Sequence, residues 1–368
     1  MNTTTYPTIA ATNTTSPKLK QEVIDLLQQL ISTPSFSREE NEVANLMEAF
    51  LSERGLKINR KGNNVWVRND GFEVGKYTIL LNSHLDTVKP VKAWTLDPFE
   101  AKIADGKLYG LGSNDAGGAL VSLLATFLHF NGKAELPFNL VFAASAEEEI
   151  SGSNGVASII EDLGKIDLAI VGEPTQMQMA VAEKGLMVLD CMAEGIAGHA
   201  AREEGVNAIY KAMQDIERIQ NFEFPKKSNL LGVVKLSVTQ INAGYQHNVV
   251  PDQCSFVVDV RTNEFYSNAV VLGMLSEVLE SKVTARSLRL NSSGISLTHP
   301  IVKAGKKMGL SHFGSPTLSD QALMPFKSIK IGPGKSARSH TANEFIYLEE
   351  IEAGIDIYIE LLETMDGG

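Results

Sequence analysis

Four short apolar runs, Thr78-Ile-Leu-Leu81, Leu140-Val-Phe-Ala143, Leu168-Ala-Ile-Val171 and Ser328-Ile-Lys-Ile331, constrain this chain more than any other feature. Each is long enough for a strand and too short for a buried helix, and the first three do not alternate as half-exposed strands do. Strands covered on both faces belong to a largely parallel sheet, whose crossovers lay helices on either side. Segments with helical spacing supply the covers: Val23, Leu26, Leu27 and Leu30 between Glu22 and Ile31, Val43, Leu46, Phe50 and Leu51 between Glu39 and Glu53, and a small-residue stretch from Gly117 to Phe130.

Residues 181–293 follow a different order. A strand is expected over 185–193, a helix over 206–220, strands over 232–240 and 255–261, a helix over 268–282 and a last strand over 285–290. That succession, βαββαβ, is the ferredoxin-like split βαβ sandwich. The reading is therefore an α/β chain of two domains, which 368 residues suffice to build. One is discontinuous, over 17–180 and 294–368; the other, 181–293, is inserted into it; residues 1–16 form a loose polar tail.

The bulk charge narrows the partner. A formal net charge of −11 with no cluster of Lys and Arg argues against a nucleic-acid surface and leaves a small molecule. No apolar run approaches the roughly 20 residues of a membrane helix. Cys191 and Cys254 are too few for a disulfide framework, and with no export signal at the start of the sequence a reducing cytoplasm is expected.

In open α/β sheets the ligand lies beyond the carboxyl ends of the strands. Polar residues gather there: Ser83-His84-Leu85-Asp86, Asn114-Asp115, Glu147-Glu148-Glu149, Glu173-Pro174 and Ser339-His340-Thr341. Taken singly, His84 is an ordinary hydrogen-bonded histidine, Asp115 a helix cap, the three glutamates an acidic first turn and Glu173-Pro174 a turn. Taken together they differ, because packing has no reason to collect uncompensated carboxylates on one rim and divalent cations do. Imidazole nitrogen with carboxylate oxygen suits zinc, or cobalt and manganese in its place, better than calcium or copper(I). Two ions sharing one carboxylate fit the number of acids better than one.

In this order the residues resemble the co-catalytic zinc deacylase and exopeptidase family, which includes acetylornithine deacetylase, succinyl-diaminopimelate desuccinylase, aminoacylase and glutamate carboxypeptidase. The motifs are Ser83-His-Leu-Asp-Thr-Val88, Tyr109 through Gly118, Ala146-Glu-Glu-Glu-Ile-Ser-Gly152, Gly172-Glu-Pro-Thr175 and Gly332-Pro-Gly through Ser339-His-Thr-Ala-Asn-Glu344, with Gly198-His199, Asn248-Val-Val-Pro251 and Asp259-Val-Arg261 in the insert. The resemblance implies a zinc-exopeptidase-like catalytic domain carrying a lid and dimerisation domain. It implies that His84, Asp115 and Glu173 hold one Zn2+ and Asp115, Glu148 and His340 the other, and that Asp86 accepts the free ring N–H of His84. Glu147 would be the general base, with Glu149 outside the ligand set. His199 would stabilise the oxyanion, in cis or from a partner subunit. Arg261, Asn248 and backbone N–H groups at Gly332 and Gly334 would hold the substrate carboxylate. A cis peptide after Asp115 and a homodimer through the lid are also implied.

The activity implied is metal-dependent hydrolysis of the amide of an N-acyl amino acid. The stretch Ser315–Asp320 with Gly332–His340 looks most like the acetylornithine and acetylcitrulline deacetylases of arginine biosynthesis. N-succinyl-diaminopimelate desuccinylase and a dipeptidase or carboxypeptidase are the alternatives. Leu111 in place of the usual Arg, and Ala-Gly-Gly after Asp115 in place of Met-Lys-Gly, touch no ligand and bear on the substrate subfamily.

Overall fold

The computed structural model describes residues 15–133, 135–202 and 204–365. The expected polar tail thus lies, through residue 14, outside the described residues. The chain divides into two compact units, one running to Val181 and resuming over Ile295–Phe313 and from Ser319, the other comprising Ala182–Gly294 and Gly314–Leu318.

In the first unit Asn139–Ser145, Thr78–His84, Leu168–Val171 and Lys327–Lys330 lie side by side and parallel. Every residue of the first three is buried, as the unbroken apolar runs require. One face is covered by the helix Gly118–Phe130, itself buried on nearly every side between the sheet and the helices Pro17–Ile31 and Leu348–Thr364. Phe142 turns to that side, its ring centroid 6.2 Å from that of Phe127. Leu80, Val141, Ala169 and Val171 turn the other way and pack with Val156, Ile159 and Leu163. Full burial of each such Val, Leu, Ile or Phe side chain stabilises the unit by roughly 1.5–3 kcal/mol.

Register fixes the rim. His84 pairs with Ser145 and Asn82 with Val171, so three parallel strands stop within two residues of each other. The chain segments that leave them, at Leu85, Ala146 and Gly172, therefore start from one edge.

The second unit is an antiparallel sheet in the order Lys235–Ala243, Gln253–Arg261, Met187–Glu194, Lys282–Ala285, with helices Ala208–Gln220 and Asn268–Val278. Its strands alternate. Leu189, Cys191, Phe256 and Val258 are buried against Ala212, Ile219, Val271 and Leu275, while the intervening residues are partly exposed. The expected helix over 268–282 stops at Val278, and the last strand comes three residues earlier than the sequence suggested. The reason is Asp215, whose buried carboxylate accepts the N–H groups of Glu280 (3.1 Å) and Ser281 (2.7 Å), binding into an extended path residues that a helix would have used.

Candidate metal centre

His84 closes its strand with a ring that is almost fully buried. Its Nδ1 donates to the backbone carbonyl of Asp86 at 2.8 Å, so in the neutral ring Nε2 carries the lone pair. That lone pair points towards Asp115 Oδ1 at 3.6 Å and Glu173 Oε1 at 3.8 Å, too far for hydrogen bonds, and the atom is buried without a partner. Asp115 sits in a kinked turn between Gly112 and the helix Gly118–Phe130, and the Asp115–Ala116 peptide is cis, as the resemblance implied. Its other oxygen, Oδ2, lies 3.6 Å from His340 Nε2.

The three glutamates depart from the expected roles by one position. His340 Nε2 lies 3.0 Å from Glu149, not Glu148. Ligand atoms of His84, Asp115 and Glu149 fall within 4.8 Å of one another, as do those of His84, Glu148 and Glu173. Glu147, expected as the base, turns away: its carboxylate accepts from the side chain of Asn154 at 2.9 Å and the backbone of Asn154 at 3.3 Å, and a Cβ on Gly152 would meet Glu147 Oε2 at 1.9 Å. The turn itself causes the shift. Glu147 takes φ 54°, and Glu148–Ile150 begins a tight helical turn that swings successive side chains to different sides.

Asp86 also does something other than expected. The His84 ring bond goes to its carbonyl, with the carboxylate 3.5 Å off. That carboxylate accepts the N–H groups of Glu148 (3.0 Å) and Glu149 (3.1 Å) and the hydroxyl of Ser37 (2.7 Å), so it holds the glutamate turn in place. Glu40, fully buried, accepts the N–H of Glu147. Asp320 accepts from Asn82 and Ser145 beneath the same rim. Glu344, fully enclosed, accepts three N–H groups of the Asp115 turn. Glu40, Asp320 and Glu344 were not singled out for a role from sequence. An acid near a motif gives no signal of its own until its backbone partners are known.

The Gly332 N–H is not a free donor for a substrate. The Gly332 N–H donates to Thr175 Oγ1 at 3.0 Å, and its carbonyl accepts from Met177. Gly334, at φ 85°, is needed for close approach, since a Cβ there would stand 2.5 Å from Asn114 Oδ1. Asn114 in turn clamps Lys335 through both its N–H and its carbonyl.

In the second unit His199 lies opposite Val249 in a short strand pair, and Ala200 N–H donates to the carbonyl of Asn248, so His199 and Asn248 share one loop cluster. His199 Nδ1 accepts the N–H of Ala201, which leaves the ring proton on Nε2. Arg261 forks onto Asp259 through Nε (2.8 Å) and Nη2 (3.1 Å).

The charges of the rim are out of balance. Burial and then Glu173 push Glu148 well up, and burial and then Asp115 raise Glu173 to about 8. The hydrogen bond to Glu149 lifts His340 to about 9. Burial pulls His84 down, but Asp115 and Asp86 carry it well above its ordinary value. Burial pushes Asp115 up and His84 overcomes it, so Asp115 is held low. More carboxylate is collected here than the enclosed rim stabilises in charged form, and the buried, partnerless Nε2 of His84 faces it. A divalent cation answers both, and the nitrogen and oxygen donors fit one.

The model of peptidase family M20/M25/M40 matches residues 80–364, and the chain belongs to that family of metal-dependent hydrolases. It is 26% identical over 276 residues to succinyl-diaminopimelate desuccinylase 2 of Ruegeria sp. (strain TM1040), covering 69% of this chain and 68% of that protein. It is 27% identical over 281 residues to succinyl-diaminopimelate desuccinylase of Cereibacter sphaeroides (strain ATCC 17029 / ATH 2.4.9), covering 72% and 73%. Among solved structures, aminopeptidase PepT from Bacillus cereus ATCC 10987 superposes with a TM-score of 0.75 at 17% identity over 94% of this chain and 98% of that one. The Bacillus subtilis YXEP protein, a dinuclear metal-binding peptidase of the M20 family, gives 0.72 at 18% over 94% and 98%. These structures share the fold, a mixed α/β architecture with a largely parallel central sheet.

Proposed function

We propose that this chain, a member of the M20/M25/M40 family, uses two divalent ions to hydrolyse the amide bond of an N-acyl amino acid. The observation that carries the reading is Asp115, whose two carboxylate oxygens each lie 3.6 Å from a different histidine. In this reading His84, Asp115 and Glu173 hold one ion, and Asp115, Glu149 and His340 the other. Two bound Zn2+ ions, or Co2+ or Mn2+ in their place, would supply a water nucleophile at neutral pH and polarise the scissile carbonyl.

The protein's own groups do the rest. Glu148, beside His84 and Glu173, takes the proton of the attacking water and delivers it to the departing amine. Glu147 braces the turn that carries it. His199 offers its Nε2–H to the oxyanion, from its own subunit or a partner's. Arg261, oriented by Asp259, and Asn248 receive the substrate carboxylate.

Three substrates have support. The resemblance of Ser315–Asp320 and Gly332–His340 favours N-acetylornithine or N-acetylcitrulline, and with it arginine biosynthesis; the names of the relatives favour N-succinyl-diaminopimelate. Free-amine release from these three and from a dipeptide, by the zinc-loaded enzyme, decides among them. Turnover of the dipeptide alone makes the enzyme a peptidase, and turnover of none removes the reading.

A homodimer through the second unit belongs to the same proposal. Tyr210, Met213, Ile241 and Tyr245 are exposed there, and Lys235–Ala243 is a sheet edge. A particle near the single-chain mass of 39.9 kDa in light scattering would remove it. No helix among the described residues is long and apolar enough to cross a membrane, and we place the enzyme in the cytoplasm.

A further inference from the structure

We propose that Glu344 is a positioning residue for the shared ligand: it holds the turn from Gly112 to Asp115 so that Asp115 presents one oxygen to each histidine. The inference rests on the two-ion reading above. Glu344 stands just before the strand Phe345–Tyr347, which pairs with Lys107–Tyr109 in a fixed register and so delivers the residue beneath the turn. Its carbonyl accepts the N–H of Gly110 at 3.0 Å. Its carboxylate then accepts three more: Gly112 on Oε2 at 3.2 Å, and Asn114 and Asp115 on Oε1 at 2.8 and 2.9 Å.

That arrangement is hard to explain as fold maintenance alone. Glu344 is 2% exposed, and among the described residues no lysine or arginine pairs with it. Accepting N–H groups on two oxygens takes a carboxylate, but the bonds that reach the shared ligand, from Asn114 and Asp115, converge on one of those oxygens. A cation in front of Asp115 relieves the repulsion between the two acids, and the bonds from the Asn114 and Asp115 N–H groups then fix the direction in which Asp115 points.

The test titrates Co2+ into chelator-stripped wild type, Glu344→Met and Glu344→Gln by calorimetry, and records electron paramagnetic resonance of the Mn2+-loaded forms. Methionine keeps the volume and removes every acceptor; glutamine keeps one oxygen for Asn114 and Asp115. Wild type is expected to bind two ions and show an exchange-coupled pair. In Glu344→Met one of the two affinities falls by roughly 10–100-fold and the coupling is lost, while Glu344→Gln stays near wild type. Native circular dichroism without metal checks the fold, and Glu344→Ala replaces the methionine variant if that fails.

The outcomes separate cleanly. A lower melting temperature with both affinities and the coupling intact would reduce Glu344 to a structural role and overturn the proposal. Glutamine failing as badly as methionine would overturn it too, because charge rather than bond geometry would then be at work. Wild type binding fewer than two ions would instead overturn the two-ion function itself.

Discussion

Thr78–His84 in the first unit and Met187–Glu194 in the second are strands of nearly equal length, seven and eight residues, in opposite surroundings. The first is buried throughout; the second alternates buried and partly exposed positions. A strand enclosed on both faces delivers its last side chain into a place that water reaches poorly, so a polar residue there must find partners within the protein or bind a ligand. A strand with a wet face has no such need. The carboxylates show the same contrast. Glu173, at the rim of the parallel sheet, is pushed up to about 8 by burial and Asp115. In Asp215 of the second unit, burial also pushes upward, but Ser281, Glu280 and Arg218 donate to it and hold it below its ordinary value. Burial alone does not fix the direction of a shift; the donors within reach do.

The largest expected effect tests the rim at the level of single residues. Glu148→Gln should lower kcat by roughly 10²–10⁴-fold, the range for loss of a general base, with metal content unchanged. Glu147→Gln, which keeps its acceptor for Asn154, should retain most activity. Loss in the second and not the first would restore the roles expected from sequence.

Metal removal sharpens the comparison next. Ions held by the native state alone raise its stability by about 4 kcal/mol at a thousand times their dissociation constant, so chelation should lower the melting temperature. It should also expose a pH dependence. Glu173 (about 8), Glu148, Glu344 (about 8), Asp320 (about 6), His84 and His340 (about 9) all have raised folded values. The native state then binds more protons than the unfolded one, and stability falls as pH rises from about 5 to 9. Melting of the chelated protein across that range should show the fall, and metal should flatten it. A flat profile without metal would break the contrast between the units.

Asp215 gives the opposite sign and a smaller effect. Its folded value is lowered, so its contribution is complete above the unfolded value near 3.9 and disappears as pH falls through the depressed one. Asp215→Ala should cost roughly 1–3 kcal/mol at neutral pH by leaving the Glu280 and Ser281 N–H groups without their acceptor. Urea unfolding of the two proteins measures it.

The largely parallel sheet, its helical covers, the split βαβ order of the second unit and the clustering of His84, Asp115, Glu173 and His340 were all legible in the chain. Period and composition carry the first three, and strand-end position carries the last. Three adjacent glutamates are chemically identical in sequence and differ only in where a turn aims them. That turn is set by Asp86, by Glu40 and by the room left at Gly152, all remote or silent in the local motif. The same holds for Glu344, which lies 229 positions from Asp115 and meets it only through the pairing of Phe345 with Tyr109. Residue type and period determine which groups reach the rim, because they act over a few neighbouring positions. Tertiary structure decides which oxygen faces which nitrogen, because a side chain's direction depends on backbone bonds made across the whole fold.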